Sequence, residues 1–595
     1  MITPLAPPRP APAGPAAPQS PPAGAPAVPG RDLALFLLLL CATDFSGLLH
    51  IYGLSWLYGE PLFLGLGWTM VLIAVGLLIL PAQGPPAWLP LRRLASVLAL
   101  FVLVVLITLA ASTLLLALSN PPAWVGRDPH ADTSPVGLLS TLGLQLGALA
   151  AVPLGAFAIG YTRQEATRRA WIALLAVAGF TLSLVNLLYD AHVGKHAPET
   201  WAIVLGLGLP TTIGLGGLIA AAGGLVLLRP ARFLAATIGA GLALRVAGLA
   251  LIPLTIRLGD MLPLIGLSTA RLLHGQNPYI VYHLPWELPL TYWPLTVLSY
   301  LPAAGLGLDL RWINLLCGPG VALLLLWAGG RRGPGPAAYA YGLLYLTPTM
   351  LQWDLSTAAP PYWLWLCGAF AAAVVAGRGR AGTLLAGAAA GAALAAAPLA
   401  LPFLPFLGGA WLLPGWRPAL RRTLVAAVTL LLVVGPFLLW DPAGFWNGAV
   451  SWFNDLARLP LLKWQTDRSW AFEIGLAGPI WQAGQQAWLK PLQALLLGGL
   501  LLASLLWRPR PLRTPGGALR WGAAAYLLFM VVNPVIWPYL YTPALLALVF
   551  AQLPAAAETR LVIHEGHEDH EDHEDREDHA GIAGPVPLTR AIGGQ

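Results

Sequence analysis

Charge is scarce in this chain: only 10% of its 595 residues are Asp, Glu, Lys or Arg, against 57% apolar. No soluble fold of this length hides so much hydrocarbon, so the chain reads as a polytopic membrane protein. Cysteine is scarcer still. Cys41, Cys317 and Cys367 are odd in number, lie in or beside apolar runs and lack metal-ligand spacing, so they offer no disulfide framework to read. A signal peptide is not apparent either. Residues 1–30 are rich in Pro and Ala, with Arg9 the one charge before Arg31, a composition that stays solvated and disordered. They lack the basic start, apolar run and cleavage site in order, so the first apolar run is expected to be a retained helix.

What charge there is has a pattern. The net +7, from 33 basic and 26 acidic residues, understates the basic character of the apolar part, because many of the acids crowd into one run, Glu565 to Asp578. Lys and Arg fall in short loops between apolar runs rather than along one face, which gives no reason to expect nucleic acid. Around that run, His567, His570, His573 and His579 recur at every third position, with Arg576 taking one place. A three-residue period fits no helical face, so the tail reads as a solvated cytoplasmic segment; metal binding by its His residues is the lesser alternative.

Apolar runs long enough to cross a ~30 Å core fall at 33–55, 61–80, 94–118, 136–161, 170–189, 201–228 and 233–256. Later ones fall at 310–330, 337–353, 358–376, 382–399, 400–415, 423–440, 491–507, 519–533 and 535–553, about sixteen in all. Arg92 and Arg93, then Arg163, Arg168 and Arg169, then Arg229 and Arg232 mark alternate loops as cytoplasmic. The run Pro294 to Leu306 is too short to span. Read as a juxtamembrane or re-entrant helix, it keeps Arg331, Arg378, Arg417 and Arg508 cytoplasmic too. Both termini then lie in the cytoplasm, and the polar loops, Arg257 to Trp293, Gln352 to Thr357 and Asp441 to Lys490, lie outside.

The first of those loops is the most informative. It carries Asp260 just past an apolar run, then Arg271 and His274, the turn Gly275-Gln276-Asn277-Pro278-Tyr279, and Tyr292-Trp293-Pro294; Arg311 and Asn314 open the next helix. This order resembles the first outer loop of the GT-C glycosyltransferases, integral membrane enzymes that move a sugar from a polyprenyl phosphate to an acceptor. The nearest branch is the polyprenyl-phosphate-mannose-dependent mannosyltransferases. The resemblance covers roughly 233–552. It departs from that branch near the last helix, where Pro534-Val535-Ile536-Trp537 leads into Pro538, Tyr539 and Tyr541 instead of His, and this bears on mannose as the sugar.

The resemblance implies an all-α GT-C-like bundle and transfer by single displacement, inverting the anomeric centre. Such transfer needs a base, donors for the departing phosphate and a dry groove. Asp260 is the candidate base, since a carboxylate within reach of a hydroxyl can take its proton late in the reaction; the plain alternative is a helix cap or a partner for Arg257. Arg271, His274, Arg458, Lys463 and Arg468 are candidate phosphate-binding groups, or ordinary interfacial side chains meeting lipid headgroups. Asp354 is a candidate for sugar hydroxyls or a helix cap. Asn277, Tyr279 and Tyr292 would line the substrate site, with Asn277 and Tyr279 also setting a turn. Trp537 and Tyr539 would stack on sugar, or belong to an aromatic belt. The outer loops hold no Asp-x-Asp pair, so no metal and no cofactor are expected. Asp44, in the first apolar run, either faces the bundle or marks an early helix end.

The expected organisation is a disordered segment 1–30, a helical bundle 31–230 of about six spans, a GT-C-like catalytic module 231–553 and a disordered tail 554–595. The expected partners are a polyprenyl-phosphate sugar donor, a lipid or glycan acceptor and membrane lipids, with a bacterial plasma membrane as the setting. A multi-pass transporter or lipid flippase is the alternative, favoured by many helices with Pro and Gly breaks. Against it stands the lack of an obvious internal repeat.

Overall fold

Long runs of Leu, Ala and Val leave a chain in a membrane one way to satisfy its backbone, which is to close every N–H···O=C bond within helices. The computed structural model describes residues 30–51, 67–78, parts of 168–187, 228–255, and, apart from short gaps, 259–452 and 475–553. It is mostly helical. Helix α1 is Gly30–Ile51, α2 Pro230–Leu251 and α3 Met261–Leu273. A two-stranded antiparallel hairpin, β1 Val281–His283 and β2 Glu287–Pro289, pairs Tyr282 with Leu288. There follow α4 Pro294–Gly305, α5 Arg311–Gly329, α6 Gly335–Tyr345, α7 Pro348–Ser356, α8 Ala359–Val375 and α9 Gly379–Ala396. The series ends with α10 Leu404–Leu412, α11 Trp416–Trp440, α12 Pro442–Phe445, α13 Leu489–Trp507, α14 Pro515–Val531 and α15 Thr542–Ala551.

Among the described residues, four helices are long and apolar enough to cross a membrane: Pro230–Leu251, Arg311–Arg332, Trp416–Trp440 and Gln486–Leu506. A fifth span forms if α7 and α8, bent by 112° at their junction, count as one. These helices mark the chain as a multi-pass membrane protein. Fewer spans appear than the apolar runs foretold, for two reasons. Much of the first 230 residues lies outside the described part, and proline divides several later runs. The run 337–353 is two helices, α6 and α7, parted before Pro348, and 400–415 is a 3₁₀ turn, Pro398–Phe403, followed by α10. The short run after Trp293 forms the 12-residue α4.

One large core gathers α1 with residues of α5 to α9, α14 and α15. Helix α1 touches α6, α7, α15 and the turn Pro538–Tyr541. Two polar contacts fix it: Asp32 pairs with Arg520, and Asp44 accepts from the hydroxyl and backbone N–H of Thr349 in the first turn of α7. Of the two readings of Asp44, the helix continues past it and the side chain faces the bundle.

Glycine decides the closest helix pair. A Cβ on Gly387 or Gly391 of α9 would fall on the carbonyl oxygens of Arg422 and Ala426 of α11. The Gly-x-x-x-Gly spacing thus lets two backbones meet, the usual device where lipid removes any hydrophobic drive between helices.

Candidate active site

The loop after α2 builds a second core of its own. Tyr279 is buried to 2% exposure, with its ring edge-on to Phe445 at 5.0 Å and to Phe437 at 5.9 Å, and its hydroxyl donates to the backbone oxygen of Tyr292 at 2.9 Å. Asn277 closes the turn by accepting from the N–H of Tyr279 and donates Nδ2 to Asp441 Oδ2, each at 2.9 Å. Arg271 Nε donates to the carbonyl of Asn277 at 3.0 Å. Gly444 and Gly448 sit so close under the carbonyls of Tyr279 and Leu290 that a Cβ would overlap them. The indole of Trp293 adds a bond to the carbonyl of Ala449 at 3.1 Å. The Asn-Pro-Tyr segment is therefore the staple that holds one loop to the other.

Asp260 occupies the N-cap position of α3, but its side chain makes no capping bond there. It is half-buried, and the residue before it packs on the end of α7, where a Cβ on Gly259 would stand 3.2 Å from the carbonyl of Ser356. Two phenols lie within reach of its charge. Burial, then the neighbouring Tyr539 and Asp260, hold the Tyr292 phenol well above its ordinary range, so Tyr292 stays a hydrogen-bond donor. The field of Asp260 also reaches Tyr539, whose ring lies 5.2 Å from that of Trp353. Asp260, Tyr292 and Tyr539 thus come together from three separate stretches, with half-buried Trp537 at the start of the turn that carries Tyr539.

The other expected members are placed differently. Arg271 and His274 lie at the C-terminal end of α3, roughly 16 Å and 21 Å along the helix from Asp260 at 1.5 Å per residue, and His274 is exposed. Arg458, Lys463 and Arg468 lie outside the described residues, as does Arg257. Asp354 is neither a cap nor open to a loop: it sits inside α7, buried, with Oδ2 2.5 Å from Arg245 Nε. Arg245, in the middle of α2, is the residue that attention to polar loops passes over. Its signal is simple, a lone Arg in an apolar helix, which is costly enough to imply a partner.

Arg311 and Asn314 act on the backbone. Arg311 forks onto Asp309 and donates Nη1 to the carbonyl of Ile252 at 2.6 Å. Asn314 donates to the carbonyls of Asp354 and Thr357, both at 2.8 Å, and accepts from the hydroxyl of Tyr300. It thereby ties off the carbonyls freed where α7 turns into α8. Among the described residues no group of three or more His, Cys, Asp or Glu is placed to hold a metal ion. No family model, curated protein or solved structure matches the chain.

Proposed function

We propose that this protein is a membrane glycosyltransferase that moves a hexose, with mannose favoured, from a polyprenyl-phosphate sugar to a lipid, glycan or protein acceptor on the non-cytoplasmic face. The observation that carries this reading is a half-buried carboxylate, Asp260, beside the phenols of Tyr292 and Tyr539 at the end of an apolar helix. Asp260 takes the proton of the acceptor hydroxyl as that oxygen bonds to the anomeric carbon. The bond from that carbon to the phosphate oxygen breaks, and the polyprenyl phosphate leaves. Tyr292, held protonated, donates to an oxygen of the sugar or phosphate, and the Tyr539 ring offers a face to the sugar. Cations for the phosphate come from Arg458, Lys463 and Arg468, with Arg271 and His274 meeting lipid headgroups. The bundle belongs to the GT-C class in this reading, with both termini in the cytoplasm.

The test is transfer in proteoliposomes with a polyprenyl-phosphate hexose. Asp260→Asn is expected to lower product formation by at least about 10²-fold, the usual worth of a positioned base, while the protein inserts and unfolds as wild type does. Undiminished transfer removes Asp260 from the mechanism. A transporter or flippase is the second reading, and a specific observation favours it: Asp354 of the bent pair α7–α8 is buried against Arg245 of α2, and broken helices with buried charge suit substrate passage. Movement of the lipid-linked sugar across the bilayer without any glycosylated product decides for it.

A further inference from the structure

A guanidinium inside a helix bundle has five N–H donors to satisfy and no bulk water to help. Arg245, 1% exposed, satisfies some of them: Nε donates to Asp354 at 2.5 Å and Nη1 to the carbonyl of Gly241 at 3.0 Å. Its flat face lies 3.6 Å over the ring of Tyr345, a cation–π contact strengthened by desolvation. Two polar atoms in this cluster are buried with no hydrogen-bond partner, Arg245 Nη2 and the hydroxyl of Tyr345. A buried donor left without a bond bears the full cost of its desolvation.

Beside them is a small cavity lined by Asp354, Tyr345, Cys317, Gly318 and Met350. Gly318 lets the Tyr345 ring seat at this wall, because a Cβ there would collide with the ring and stand 2.8 Å from its hydroxyl. That contact also shows the hydroxyl turned toward the Gly318 wall. The space suits about one water molecule.

We propose that this cavity is a water-binding site, in which one resident water accepts from the Tyr345 hydroxyl and donates to the Asp354 carboxylate. The chemistry selects water over an ion. Arg245 repels a cation, Asp354 repels an anion, and the pair together is neutral. Apolar walls from Val321, Pro360 and Leu546 leave no room for a larger guest. Two or more polar partners are what a buried water requires. The site does not depend on the glycosyltransferase reading, and it serves a transporter equally.

Hydroxyl-radical footprinting by X-ray radiolysis of the full chain in lipid nanodiscs tests the proposal, because the radicals arise from water itself. Both Met350, 4% exposed, and Met530, 0%, belong to the main core, but Met350 lines the cavity and Met530 does not. Met350 is expected to oxidise several-fold faster than Met530. Val321→Leu, which extends a wall side chain, is expected to bring the two rates together. Equal rates in the wild-type protein overturn the site, as does a fast Met350 in the Val321→Leu protein, since radicals would then arrive without a resident water. A cryo-EM map of the unaltered chain gives a second reading. A water peak within hydrogen-bond reach of the Tyr345 hydroxyl is expected, and a dry cavity in a map that shows other buried waters overturns the proposal.

Discussion

Asp260 and Asp354 have the same functional group and opposite surroundings, and their substitution should separate them. Asp354 faces a guanidinium in the bundle interior, so Asp354→Asn leaves Arg245 charged, buried and without its counter-charge. Breaking one side of a buried pair costs about 3–5 kcal/mol, and the detergent-solubilised variant should unfold at a clearly lower temperature. Asp260→Asn should leave that temperature near the wild-type value and act on transfer alone. Asp309 supplies a pH dependence. Burial opposes its charge, but the hydrogen bonds and charge of Arg311 win and hold its carboxyl below the ordinary 3.8. A depressed folded value means that the stabilisation is complete above 3.8 and is lost as pH falls through the lower folded value. Asp309→Asn should therefore weaken the protein at neutral pH and flatten the acid limb of unfolding temperature against pH. Much at this scale was legible in the sequence: Asn277, Pro278 and Tyr279 read as a turn, and they form one. The pairing of Arg245 with Asp354 was not, because the two are 109 residues apart and no local pattern brings them together. A lone arginine in α2 announces only that some partner exists.

Elements divide along the same line. The length and polarity of α5 and α11 are plain in their apolar runs, and α4 was recognisably too short to span. The break between α7 and α8 falls where the apolar runs 337–353 and 358–376 part, but its 112° bend was hidden, since it depends on Asn314 reaching from α5 to the carbonyls of Asp354 and Thr357. A proline in each run, Pro348 and Pro360, shows where a bend is permitted, but only the distant amide makes it stable. The pairing of α9 with α11 gives the prediction at this scale. Gly391→Leu places a side chain where the carbonyl of Ala426 now lies, so the helices must part. Overpacking of this kind costs about 1–3 kcal/mol, and the variant should show a lower unfolding temperature. Gly368, with nothing within 4 Å of its would-be Cβ, is the matched control: Gly368→Ala should leave the temperature unchanged or raise it slightly through helix propensity.

For the whole molecule the question is which way the bundle faces, and the exposed tryptophans bear on it. Trp312 and Trp327 stand exposed toward the two ends of α5, and Trp416 and Trp440 at the two ends of α11. At 1.5 Å per residue these pairs are roughly 22 Å and 36 Å apart, which brackets a ~30 Å hydrocarbon core and suits residues that seek its two boundaries. Helix α5 ends at Arg331 and Arg332, and α11 begins beside Arg417, Arg421 and Arg422. Both cationic ends therefore share one side, and the positive-inside rule predicts that this side is cytoplasmic. Asp260 precedes α3 near the opposite ends, with Asp309 before α5 and Asp441 after α11. Exposed Gln485, just before α13, falls on that same far side. In a background with Cys41, Cys317 and Cys367 replaced, Gln485→Cys should react with a membrane-impermeant maleimide in intact cells, and Arg331→Cys only after the membrane is opened. The reverse pattern would turn the site toward the cytoplasm, where a donor presented on the outer leaflet could not meet Asp260.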